Sequence, residues 1–132
     1  MPLNLTVLGT CSPYPAKGRA CPGYLVWTER AKILLECGSG VAARLGGEQG
    51  KCGAEDIDAV IISHLHGDHM SDLLVLRYGI DRSMARGLRA KPLSVYGPGE
   101  PKSVVDLISY RDAVKYIPVS LPDIPVSLPA TD

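Results

Sequence analysis

The chain has 132 residues, with 14 Lys and Arg against 14 Asp and Glu and a formal net charge of zero. That length holds one domain at most, and the balanced charge excludes a uniformly basic surface that coats nucleic acid. With no Phe, one Trp and six Tyr, the chain is also short of stacking platforms for bases.

Residues 3–8 alternate so that Leu3, Leu5 and Val7 share one face, which predicts a strand. Residues 9–23 hold three prolines and three glycines and read as a loop. Two further strands are expected at 24–27 and 32–36, joined by a polar turn at Thr28-Glu29-Arg30. A short helix over 41–45 should stop at Gly46-Gly47. Residues 57–63 form a continuous apolar run with β-branched side chains, as in a strand buried on both faces. Residues 71–86 read as a helix with Leu73, Leu74, Leu76, Tyr78 and Ile80 supplying its apolar surface and Gly87 its stop. A strand over 93–96 and a weak helix over 103–110 follow. The tail repeats itself: Ile117-Pro118-Val119-Ser120-Leu121-Pro122 returns as Ile124-Pro125-Val126-Ser127-Leu128-Pro129. Its prolines bar a helix and a central strand, so extended or polyproline-like chain is expected.

No apolar run approaches the roughly 18 residues a bilayer span needs. The opening Met1-Pro2-Leu3-Asn4-Leu5 carries neither a basic region nor a long apolar one, so no signal peptide and a cytoplasmic location are expected. Cys11, Cys21, Cys37 and Cys52 form no Cys-x-x-Cys pair, which argues against a zinc knuckle and for reduced, buried thiols.

The chemistry is concentrated in Ser63-His64-Leu65-His66-Gly67-Asp68-His69, which contains every histidine of the chain. Imidazoles and a carboxylate crowded into one loop suit a borderline-soft divalent metal. His64 and His66 are two apart, so in extended chain they share a side. Asp68 and His69 lie past Gly67, read as the residue that lets the backbone turn. Two ligands can then serve one metal and the next two a second.

The pattern His-x-His-x-Asp-His resembles the signature of the metallo-β-lactamase-fold hydrolases. The apolar segment 58–63 before it and 70–74 after it are similar to the strand and helix that flank that signature. Residues 6–13 are similar to the opening strand and turn of the ribonuclease Z-like and phosphodiesterase-like branch. Residues 33–40, Ile-Leu-Leu-Glu-Cys-Gly-Ser-Gly, are similar to its Leu-Leu-Asp-x-Gly-x-Gly segment, with Glu36 where Asp is usual, and Val95-Tyr96-Gly97-Pro98 to a later strand and turn. The resemblance covers about residues 3–98.

It implies an α/β (α+β) fold, a metallo-β-lactamase-like αββα sandwich of which this chain supplies the N-terminal half at residues 1–111, followed by a proline-rich tail at 112–132. It places Cys11 and Cys37 near the site. It implies zinc, with iron or manganese as alternatives, held at two positions by His64 and His66 and by Asp68 and His69, with Asp68 also catalytic. The expected reaction is hydrolysis of phosphoester bonds in a small molecule or RNA. Thioester, lactone or sulfate ester chemistry is compatible with the same fold, and a β-lactamase is disfavoured. The family completes its site with a later His, a bridging Asp and a final His. No histidine follows His69, and Asp81, Asp106, Asp112 and Asp123 have no bridging context. The chain is therefore expected to be an impaired hydrolase. The alternative is a catalytically incomplete half-domain acting as a metal-binding or oligomeric protein. One face of a lone sheet would be bare, so a homo-oligomer is expected, and no membrane partner.

Overall fold

The structure, a computed structural model, describes residues 1–120. Six strands make one mixed sheet in chain order: β1 (Asn4–Gly9), β2 (Gly23–Trp27), β3 (Lys32–Leu35), β4 (Ala59–Ile61), β5 (Leu93–Gly97) and β6 (Val114–Pro118). Strands β1 to β3 are an antiparallel meander; β3 to β6 are parallel. The parallel connections carry the helices α1 (Val41–Gly46), α2 (Gly67–Met70), α3 (Leu73–Ala85) and α4 (Lys102–Ile108). Each crossover steps to the next strand in one direction, and crossovers of one hand then stack their helices on one side of the sheet. The buried cluster bears this out. Leu8, Leu25, Leu34, Val60, Val95 and Val114 from alternate strand positions pack with Val41, Leu45, Leu73, Leu76, Ile80 and Ile108 from the helices. This helix-and-sheet half is the architecture the motif resemblance implies.

Helix α3 buries Leu73, Leu76 and Ile80 at helical spacing. Its stop at Gly87 holds: the residue has φ +72°, and its amide donates to the Met84 carbonyl. Tyr78 departs from expectation. It is half exposed and stacks edge-on against Tyr110, with the Arg77 guanidinium over both rings. A tyrosine ring keeps a polar tip and tolerates such a half-wet site.

The run at 57–63 yields a short strand, because only Ala59–Ile61 find ladder partners on both sides. Strand β6 was not expected, since prolines argue against strands. It forms because it lies at the sheet edge, where Pro118, its last residue, can lack an amide at little cost. The repeat thus begins inside the sheet, at Ile117 and Pro118, while 121–132, with its second copy, lie outside the described residues. Among the described residues no helix is long and apolar enough to cross a membrane.

Candidate metal centre

The histidine loop springs from the C-terminal end of β4, where parallel strands present their loops. Past the strand the burial repeats every third residue. Ile62 and Leu65 are buried in the core, 2% and 8% exposed, and Ser63 and His66 are exposed. Leu65 thus nails the loop to the core while imidazoles stand on either side of it. The chain then turns directly into α2, whose His69 amide donates to the His66 carbonyl at 3.0 Å. Gly67 needs no positive φ, and a methyl group there would meet nothing within 4 Å. Its expected role as a conformational hinge is therefore not seen.

The glycine that matters is Gly38, in the turn between β3 and α1. A Cβ built on it would lie 2.0 Å from the Asp68 carbonyl oxygen and 2.5 Å from Cys21 Cβ. The turn and the loop are zipped by backbone bonds: the Cys37 amide to the His69 carbonyl at 2.8 Å, and the Asp72 amide to the Cys37 carbonyl at 3.1 Å. Asp72 then reaches the first turn of α1, its carboxylate accepting from the Ala42 amide at 2.9 Å.

All four expected ligands lie in one cluster. The rings of His64 and His66 meet edge-on at 4.7 Å between centroids, and those of His64 and His69 lie 4.1 Å apart. Asp68 Oδ2 is 3.3 Å from His69 Nε2. A fifth residue joins them. Glu36, His64 and His69 offer donor atoms within 4.8 Å of one another. Glu36 has φ +62° and is 8% exposed, an unusual pairing of backbone strain and burial for an acid. Both its oxygens are engaged: Oε1 accepts from the Ser63 amide at 2.5 Å, and Oε2 contacts His69 Nδ1. His69 thus presents Nδ1 to Glu36 and Nε2 to Asp68. Glu36 braces His69 and also stands among the three donors that could meet an ion. Sequence reading had noted it only as an Asp-to-Glu departure near the site.

Electrostatics favour an ionised Asp68. Desolvation alone would raise its carboxyl, but the Ser12 hydroxyl and the neighbouring His69 and His64 outweigh it and hold it below the usual carboxylate range. Two of the thiols are spectators. Burial pushes Cys37 far up and Cys52 up to about 11, so neither offers a thiolate at neutral pH.

Glu36→Gln is expected to weaken metal binding by about 10–100-fold, the usual cost of losing a carboxylate partner behind a ligating imidazole. Metal titration against a chromophoric competitor measures it. An unchanged affinity would show that Glu36 does not orient His69.

Comparison with known proteins places this geometry. Residues 16–83 match the metallo-beta-lactamase superfamily. Ribonuclease Z of Clostridioides difficile is 34% identical over 120 residues, which span 90% of this chain and 36% of that protein. Ribonuclease Z of Methanopyrus kandleri is 37% identical over 115 residues, 86% and 38% of the two chains. The metallo-beta-lactamase fold protein YhfI from Bacillus subtilis superposes with a TM-score of 0.88 at 31% identity, over 96% of this chain and 50% of that one. Human tRNase Z, short form, gives 0.65 at 27%, over 85% and 43%. The chain spans half or less of the length of each of these relatives.

Proposed function

Because this chain belongs to the metallo-beta-lactamase superfamily, we propose that its histidine loop is the metal-binding half of a phosphoester hydrolase. The observation that carries the reading is the convergence of His69 Nε2 and Asp68 Oδ2, 3.3 Å apart, with His69 gripped from behind by Glu36. Imidazole and carboxylate donors suit zinc first, and iron or manganese next. His64 and His66 would hold one ion, Asp68 and His69 a second. When bound, the metal supplies Lewis acidity for the phosphoryl group and for water.

The chain's own residues supply orientation. Glu36 holds the His69 ring from its Nδ1 side. Asp68, held ionised, accepts a hydrogen bond from the attacking water and aims it; so weak a base passes the proton on rather than keeping it. Leu65 keeps the floor of the loop dry. RNA or a small phosphoester is the substrate class, favoured by kinship with ribonuclease Z.

The second reading is a half-domain that binds metal, self-associates and does not turn over substrate. It is favoured by the donor set: Glu36, His64 and His69 offer three donor atoms within 4.8 Å of one another, a set suited to one ion rather than a pair. Turnover of bis-p-nitrophenyl phosphate with added zinc or manganese separates the two. The hydrolase reading expects weak turnover that Asp68→Ala abolishes. Metal binding without any turnover establishes the second reading, and turnover indifferent to Asp68→Ala overturns the assignment of the site.

A further inference from the structure

Between β1 and β2 the chain leaves the sheet for residues 10–22 and returns. The base of this excursion closes on itself, where the amides of Thr10 and Cys11 both donate to the Ala20 carbonyl, at 3.1 and 2.9 Å. Its returning limb is tied to the glycine turn of the site. The Cys21 amide donates to the Ser39 carbonyl at 2.9 Å, and the Gly38 amide to the Pro22 carbonyl at 3.0 Å. Its outgoing limb carries Ser12, whose hydroxyl meets the Asp68 carboxylate. At its tip Ala16 and Arg19 bridge across a tight turn, with Gly18 at φ +72°. Arg44 lies in the last turn of α1, and its guanidinium reaches the excursion. Nη1 donates to the Leu8 carbonyl at 2.8 Å, and Nη2 donates to the Gly18 carbonyl. Leu8 is the residue that the β1–β2 register skips. One nitrogen therefore holds the root of the excursion and the other its tip. Helix α1 is itself pinned beside the histidine loop, through Asp72 and the Ala42 amide. Among the described residues, Arg44 to Gly18 and Ser12 to Asp68 are the hydrogen bonds that tie 12–19 to the fold outside the excursion.

We propose that Arg44 is a positioning residue of the metal centre: it clamps the excursion against the histidine loop and so keeps Ser12 on Asp68. A guanidinium suits this task. Its nitrogens diverge in a rigid planar fork and meet two carbonyls at once, whereas a lysine ammonium is a single point of charge on a flexible stem. Hydrogen bonds from a charged donor shift a local opening equilibrium by about 10–100-fold. Without Arg44, 12–19 opens that much more often, and Asp68 loses its hydroxyl partner each time. The positioning role rests on the reading of Asp68 as a metal-centre residue; the clamp itself does not.

Limited trypsin digestion of the whole chain is the test, because Lys17 and Arg19, both exposed, flank the clamped Gly18. Arg44→Met keeps the side-chain stem and removes both donors. Cleavage after Lys17 and Arg19 is expected to quicken about 10-fold or more, while cleavage after the exposed Arg82 and Arg86 keeps its wild-type rate. Arg44→Lys should fall between the two. Zinc affinity of Arg44→Met, titrated against a chromophoric competitor, should drop about 10-fold, as for the loss of an outer partner of a ligand. By reciprocity, zinc should slow cleavage at Lys17 and Arg19 in the wild-type chain. Unchanged cleavage in Arg44→Met would show that the arginine clamps nothing. Equal acceleration at all four bonds would make it a support of the whole fold and overturn the proposal. Faster cleavage at the tip with unchanged zinc affinity would overturn the positioning role. A wild-type chain that binds no zinc would overturn the metal-centre reading and that role with it, and the cleavage rates would still decide the clamp.

Discussion

Replacing His64 and His66 together by Ala is expected to strip the chain of stably bound metal. Structural zinc sites with four ligands bind with about 10–16 kcal/mol at neutral pH, or about 3 kcal/mol per ligand. Losing two imidazoles should then weaken binding on the order of 10⁴-fold. The cluster has no reserve, because these are two of the three histidines in the chain. Elemental analysis after gel filtration measures the loss. Unchanged stoichiometry and affinity in the double variant would mean that metal binds elsewhere. The fold should survive, since His66 is exposed, His64 lies at the surface of the loop, and Leu65 remains to anchor it.

Gly38→Ala should damage the fold and the site together. The new Cβ meets the Asp68 carbonyl on one side and Cys21 on the other, and the carbonyl is backbone already fixed by the bonds that zip turn to loop. Relief requires the turn and the histidine loop to move apart. Overpacking of this kind costs about 3 kcal/mol, which for a domain of this size lowers Tm by about 10 °C. Metal affinity should fall with it, because the displaced atoms belong to a ligand residue. Gly67→Ala is the contrast. It lies inside the motif but opens onto free space, and should change Tm by no more than a degree or two, the scale of a tolerated surface substitution. If Gly38→Ala melts with the wild-type chain, the turn and the loop are not coupled as described.

The site was legible in the sequence where it is contiguous and illegible where it is assembled. His64 to His69 are neighbours, so their crowding into one loop is visible in the sequence itself. Glu36 directly follows β3 and meets His69 only because β3 and β4 pair in parallel with Leu35 opposite Ile61. That register cannot be read from either segment alone. Asp72 gave no signal either, since it caps a helix that precedes it in the chain by thirty residues. Gly67 was singled out for its place in the motif, whereas the need for glycine falls at Gly38, where two distant backbones touch.

The elements followed the same division. Strands β1, β2, β3 and β5 and the stop of α3 were visible in local pattern. Strand β6 was hidden by the proline at its end, which an edge position tolerates. Residues 3–8 were read as a strand with Leu3, Leu5 and Val7 on one face. Which side meets the helices depends on the twist and order of the whole sheet, and the sequence carries no local mark of it.

Because every strand pairs with the one synthesised just before it, the sheet can grow in the order in which the chain emerges. No strand has to wait for a distant partner or insert between two already paired. Such a topology lets each strand dock on an edge already formed, and folding should be free of long-lived threading intermediates. The histidine loop acquires its supports early. Glu36, Gly38 and Asp72 are all in place once α3 has docked, before β5 and β6 add the last third of the sheet.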